Sequence, residues 1–332
     1  MDKQLTFSAL EHQKHKRTTR RDEFLSKMDD IVPWPHIISL VQPYYYSGRF
    51  GRPPTSLEVI LRMYFLQTWF SLSDEGLEDS IYDSKAFSSF LGVDFVSVPA
   101  PDATVLCNFR KIVNDNELGE KIFSLVNELM EKNGLIMRGG TIMDATIHEA
   151  PRSTRNASHG RDPEMASAKK GGSWHFGAKS HIGVDAGTGL VHSVEVTPAN
   201  VHDITMASQL IRPDDDFAAG DSGFIGLAER DDMKSSPVLS KVECRIVERP
   251  SSWKKKNLSV LAAEFDRRAE RRLISMRQKV EYVFHVVKDI FKLRKLAYKG
   301  LAKNATRLLV SFANANLYML AIAGRRFCPL LG

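Results

Sequence analysis

The sequence predicts an α/β protein, a mixed sheet flanked by helices and preceded by an all-helical N-terminal region. Three observations carry this expectation. Apolar residues recur at helical spacing through about residue 135, short β-type runs begin at Gly139, and basic amphipathic helices follow from about Leu258. A chain of 332 residues has room for two domains, divided here as 1–137 and 138–332.

In the first region, Thr55 to Glu58 in "PPTSLEVILRMYFLQTWF" reads as a capping box before a helical apolar pattern. Ser73 and Asp102 are placed to cap two further helices, and "NELGEKIFSLVNELMEKNG" stops at Gly134. "GGTIMDATI" is the first strand. "AKSHIGVDAGTGLVHSVEVTPA" reads as a hairpin with a Gly-rich turn, and "NVHDITMASQLI" as a helix capped by Asn200. "DFAAGDSGF" is a short buried strand ending in a turn, and "VECRIVERP" another strand. The expected order is β-β-β-α-β-β-α. Between the first strands, the polar stretch from Ala150 to Trp174 reads as a long loop, and loops of that length tend to be functional.

Composition narrows the function. The net charge of +6 and pI near 9.1 favour a polyanionic partner such as nucleic acid, although a basic protein without one fits the same numbers. Cys107, Cys244 and Cys328 are scattered and odd in number, which points away from a zinc site or a disulfide framework and towards a reducing cytoplasm. The N-terminal stretch lacks the apolar core of a signal peptide. The longest apolar run, Leu308 to Gly324, carries Asn314 and Asn316 and reads as a core helix rather than a membrane span.

Three acids stand out. Asp144 interrupts an apolar strand, where a carboxylate is costly unless paired or bound to a cation. Asp221 sits at the carboxyl end of "FAAG", where open α/β sheets place their sites. Glu281 lies in "ISMRQKVEYVFHVVKDIFKLRK", read as one helix from Ile274 to Lys295 with an apolar stripe of Met276, Val280, Val283, Phe284, Val287, Ile290 and Phe291. Arg277, Glu281, Lys288 and Lys295 share one edge of that stripe within roughly 40°. Glu281 is therefore either an i,i+4 partner of Arg277 or a third ligand beside the two aspartates. Three hard oxygen ligands would suit Mg²⁺ or Mn²⁺. Asp185 and Asp203 compete for the role, but turn formation explains the first and a helix N-terminus the second.

These residues resemble the transposases of bacterial insertion sequences, specifically the insertion sequence 5 family. That family's helix signature is Tyr, two residues, Arg, three residues, Glu, six residues, Lys. Arg277, Glu281 and Lys288 keep the spacing, and Ile274 stands where the Tyr would be. "MDATIHEAPRSTRN", "RDPEM", "GAKSHIGVDAGTGLVHSVEVTPANVHD", "AAGDSGF" and "KGLAKNATRLL" also resemble the family, so the likeness runs from about Gly48 to Leu320. The resemblance implies an RNase H-like catalytic domain over 138–332 and a metal triad of Asp144, Asp221 and Glu281. It also implies DNA contacts through Arg277 and Lys288. Two Mg²⁺ (or Mn²⁺) ions would then support nicking at the element's ends and joining of the freed 3′ ends to target DNA. A nuclease without strand transfer and a DNA-binding relative without activity are the alternatives.

Further candidate DNA contacts follow. In "FGRPP", Arg49 and Arg52 are placed to enter a minor groove, or the segment is a plain turn. The helices of 1–137 form either a helix-turn-helix that reads the terminal inverted repeats, with Asn108, Arg110 and Lys111 on the reading helix, or a packing and multimerisation unit. In "GSWHFGAK", Trp174 is a candidate for stacking on an unpaired base or for the core, with Lys179 close by. "SSWKKKNL", with Lys254 and Lys255, and "DRRAERRL" are basic enough to follow phosphates, as is Lys295. The expected partners are double-stranded DNA and further copies of the chain in a complex that pairs two ends, in a bacterial cytoplasm at the nucleoid.

Overall fold

The computed structural model describes residues 18–45, 54–92, 100–136, 138–155, 159–247, 275 and 277–324. The chain divides into two compact units, Met1–Leu118 with Leu317–Gly332, and Gly119–Asn316.

The first unit contains α1 (Arg20–Ile31), α2 (Trp34–Val41), α3 (Leu57–Phe70), α4 (Asp74–Asp83), α5 (Lys85–Leu91) and α6 (Ala103–Asp115). Helix α3 is buried on almost every side, as its all-round apolar sequence requires. Its one cation, Arg62, is kept there by Asp29 (2.7 Å), by Glu58 (3.0 Å) and by the ring of Trp34. The capping box expected from Thr55 does not form. The helix starts after Ser56 without a side-chain cap, and Glu58 is turned to Arg62 instead. The other two caps form as expected, with Ser73 accepting from Gly76 N–H and Asp102 from Val105 N–H.

The second unit is built on a six-stranded sheet. Helix α7 (Leu118–Lys132) leads into it and ends at Gly134, whose φ of +63° suits glycine. The strands are β1 (Thr141–Glu149), β2 (Ala166–Lys170), β3 (Ser173–Asp185), β4 (Val191–Pro198), β5 (Phe217–Gly220) and β6 (Glu243–Ile246). Their order is β2-β3-β1-β5-β6, with β4 also on β3. β1 runs antiparallel to β3 and parallel to β5, and β5 runs parallel to β6, which makes the sheet mixed. The helical turns that follow β4 and β5 cover β5 with a cluster of Met143, Ala207, Leu210, Ala218, Phe224, Leu227 and Met233.

Three local expectations need correction. The loop from Ala150 to Trp174 contains β2, which pairs with the start of β3 across Gly171 and Gly172. Both glycines have positive φ (+58° and +84°), the conformation that a two-residue hairpin turn demands. The helix expected from Asn200 shrinks to a 3₁₀ turn, Asp203–Met206, and a single α-turn, Ala207–Leu210, with no side-chain cap. Lys179 Nζ explains this by taking both the Val201 carbonyl (2.7 Å) and the Asp203 carboxylate (2.8 Å). The third correction concerns the helix expected to run to Lys295. This helix, α8, runs over 277–285, widens into a π turn at Val286–Ile290 and is broken at Lys292 (φ +60°). Lys295 therefore leaves the shared edge.

The last helix, α9 (Leu301–Ile322), is a core helix as expected. Its start is capped from the "RDPEM" stretch, where Asp162 accepts from Gly300 N–H and Glu164 from Leu301 N–H, both at 2.7 Å. Asn316, fully buried, binds the backbone N–H (2.8 Å) and C=O (2.7 Å) of Val191 at the start of β4. Among the described residues no helix is long and apolar enough to cross a membrane.

Candidate active site

The sheet brings Asp144 and Asp221 together. In the parallel ladder Thr141 faces Ala218 and Ile142 faces Ala219. Two residues further along each strand stand Asp144 and Asp221, so the two acids lie level on neighbouring chains. The turn after β5 is built to present Asp221. Phe224 is fully buried, and its ring lies 2.7 Å from where a Cβ on Gly220 would stand, so Gly220 lets the ring close over the strand end. Asp221 accepts from Gly223 N–H (2.8 Å), and Asp144 from Ala145 N–H (2.7 Å). Burial is the main force raising the Asp144 carboxyl to about 6, and the charge of Asp221 adds to it. The Ala145 hydrogen bond and the charges of Arg277 and Lys170 act in the opposite sense.

Helix α8 carries Arg277, whose charge acts on Asp144, and two lysines that tie it to the sheet. Lys279 Nζ donates to the carbonyls of Ala186 and Gly187 in the β3–β4 turn. Lys288 Nζ donates to Thr146 Oγ1 (2.5 Å) and to the Ile147 carbonyl (2.7 Å) on β1. The helix is thus stapled to the sheet on either side of Glu281. Burial lowers the Lys288 ammonium to about 8, with Lys170 and Arg294 adding to the effect. Arg277 has a buried Nε without a hydrogen-bond partner among the described residues, and its charge acts on Asp144. Glu281 is exposed, and among the described residues no three acidic, His or Cys side chains form a ready metal cage. Two of the three expected ligands come together, and the third stands on the helix between its two staples.

The rival acids are otherwise engaged. Asp185 is fully buried, accepting from Thr188 N–H (2.7 Å) and pairing with Arg212 (3.2 Å). Asp203 is paired with Lys179.

Two family matches bear on this geometry. Residues 137–317 match the family described as Transposase DDE domain, and residues 12–112 match the one described as Transposase domain (DUF772). The chain belongs to the DDE transposases. It is an enzyme of transposition and DNA recombination that cleaves DNA and transfers strands, in a family that generally uses divalent metal ions. The mixed sheet with flanking helices is the RNase H-like arrangement expected for that domain. No solved structure matches the chain.

The other residues singled out in the transposase sequence are placed as follows. Trp174 is not in the core but on the β2–β3 hairpin, 63% exposed. Lys179 points inward to Asp203. Arg110 is turned into the first unit, where its Nη2 meets Asp74 Oδ2 at 2.6 Å and its Nη1 meets Gln67, while Asn108 and Lys111 of the same helix are exposed. Lys295 is exposed and lies in an isolated bridge with Glu149. Arg49, Arg52, Lys254, Lys255, the "DRRAERRL" segment and Ile274 lie outside the described residues. The sequence reading missed Lys170, whose charge acts on both Asp144 and Lys288, and Lys279, which anchors α8. The paired lysines of "KKGG", next to a turn-forming Gly-Gly, were the available signal for Lys170.

Proposed function

We propose that this transposase mobilises an insertion sequence of the insertion sequence 5 type by nicking at the element's ends and joining the freed 3′ ends to target DNA. Asp144, Asp221 and Glu281 are its metal ligands, Glu281 joining the aspartates from α8. The observation that carries the reading is the level pairing of Asp144 and Asp221, with an unsatisfied Arg277 in their field. Two neighbouring carboxylates, one with its pKa raised partly by the other, fit a hard divalent cation such as Mg²⁺ or Mn²⁺. When bound, a pair of such ions supplies Lewis acidity and an activated attacking oxygen. The chain's own part is to hold the phosphate. Arg277 offers a fork of donors to non-bridging oxygens, and Lys288 fixes β1 against α8 so that Asp144 keeps its place. Residues 138–332 form the catalytic domain in this reading. Residues 1–137 bind the inverted repeats and multimerise, with α6 as the reading helix that presents Asn108 and Lys111. Arg49, Arg52, Trp174, Lys254, Lys255 and Lys295 are the remaining proposed DNA contacts, whereas Arg110 and Lys179 are spent on Asp74 and Asp203.

The test is a Mg²⁺-dependent assay on labelled element ends with a target plasmid. Joined products are expected. Nicks without joining would replace the reading with a nuclease, and shifted but uncut DNA with a binding protein.

The metal also gives a pH prediction. A proton competes with the cation for Asp144, whose carboxyl titrates at about 6. Mg²⁺ affinity, read by calorimetry, is expected to rise about tenfold per pH unit up to about 6 and then level off. Affinity that does not change between pH 5 and 7 would show that Asp144 takes no part in binding.

A further inference from the structure

We propose that Asp203 is a positioning residue for Asp221, held in that role by Lys179. The inference rests on the reading of Asp221 as a metal ligand given above. Asp221 stands in a turn, and among the described residues its carboxylate is oriented by one hydrogen bond, from Gly223 N–H to Oδ1 at 2.8 Å. Gly223 is also where a second carboxylate arrives. A Cβ at that position would lie 2.9 Å from Asp221 Oδ1 and 3.8 Å from Asp203 Oδ2. The two acids thus meet at one glycine, each within reach of the place a side chain would fill.

The other oxygen of Asp203 is fixed by β3. Lys179 Nζ donates to Asp203 Oδ1 at 2.8 Å and to the Val201 carbonyl at 2.7 Å. His181 is fully buried, with Nε2 2.8 Å from Thr197 Oγ1. Its Nδ1 lies 3.6 Å from the same Asp203 Oδ1 and has no hydrogen-bond partner among the described residues. Lys179 stands opposite Ile147 of β1, so the tie fixes Asp203 relative to the strand that carries Asp144. Lysine and histidine both address Oδ1, which leaves Oδ2 as the oxygen turned to Gly223. Like charges at this range repel. Asp221 therefore settles with Oδ1 on the Gly223 N–H and Oδ2 turned away from the glycine, where a cation meets it already oriented. Groups behind a metal ligand act in this way, by fixing the ligand rather than touching the metal.

The test is Mg²⁺ binding to the full-length protein without DNA, read by calorimetry. Asp203→Asn keeps the shape and removes the charge, and should weaken Mg²⁺ about tenfold. Its melting temperature should move by no more than about 3 °C, as for a half-exposed ion pair. Lys179→Met should also weaken Mg²⁺, although it leaves every acid in place and removes a cation. Gly223→Ala touches neither residue, yet should displace Asp221 Oδ1 and weaken Mg²⁺ as well. Combined with Asp203→Asn it should add little, because both act through one carboxylate. In the cleavage assay, Asp203→Asn should raise the Mg²⁺ concentration needed for half-maximal rate and keep most of the rate at saturation. Unchanged affinity in Asp203→Asn, tighter binding in Lys179→Met or full additivity in the double variant would each overturn the role. Failure of the acid-pair reading would appear separately, as Mg²⁺ affinity that Asp221→Asn leaves unchanged, and would take this inference with it.

Discussion

Asp144→Asn or Asp221→Asn is expected to reduce DNA cleavage by at least about 10²–10³-fold while leaving the protein as heat-stable as before, or more so. The two effects have one origin. Burial and the neighbouring Asp221 raise the Asp144 carboxyl from its ordinary value to about 6. Between about pH 4 and 6 the folded state keeps a proton that the unfolded chain releases, so the acid's contribution to stability falls as pH rises through that window. At neutral pH the ionised Asp144 carboxylate carries a penalty of about 3 kcal/mol, which an amide removes. A ligand site makes this kind of exchange, and an ordinary structural aspartate does not. Cleavage assays and thermal scans on the same preparations check both halves. A melting point lowered by several degrees in Asp144→Asn would return the residue to a structural role.

The second large effect is expected from Phe224→Ala, at about 3–5 kcal/mol and roughly 10 °C in melting temperature. Phe224 is fully buried in the cluster against Met143, Leu210 and Ala218, and its ring lies over Gly220. It anchors the turn on which Asp221 stands. Cleavage should fall with stability in Phe224→Ala, and Phe224→Leu should keep most of both because it refills the space. Differential scanning calorimetry with the end-cleavage assay measures this. If Phe224→Ala lost stability but kept full activity, the ring would not be needed to place Asp221.

Elements with a local cause were legible in the sequence. β1, the β3–β4 hairpin, the caps at Ser73 and Asp102 and the stop at Gly134 are each decided within a few residues. What remained hidden depends on partners far along the chain. Lys179, Arg110 and Lys288 read as surface charges, yet each is claimed by an atom 24, 36 or 142 residues away. The π turn in α8 was hidden for the same reason, because the apolar stripe continues smoothly through it. β2 was missed because a run as polar as "ASAKK" has no apolar alternation, and only the Gly-Gly turn announces the hairpin. Asp144 and Asp221 could each be picked out by their own surroundings. That they stand level is a property of the β1–β5 ladder, which no spacing reveals.

That ladder also bears on how the protein comes to be competent. The β2–β3 and β3–β4 pairings close over short turns, whereas β5 reaches β1 only after a long excursion and is held by few residues. Non-local parallel pairing is the slow kind, since the entropy of closing the loop is lost before the contacts repay it. Formation of the hairpins is therefore expected to precede the docking of β5, and until it docks the two carboxylates are strangers. The acid pair is a product of the last steps of folding, so a chain still emerging or half folded holds no assembled site with which to cut the DNA around it.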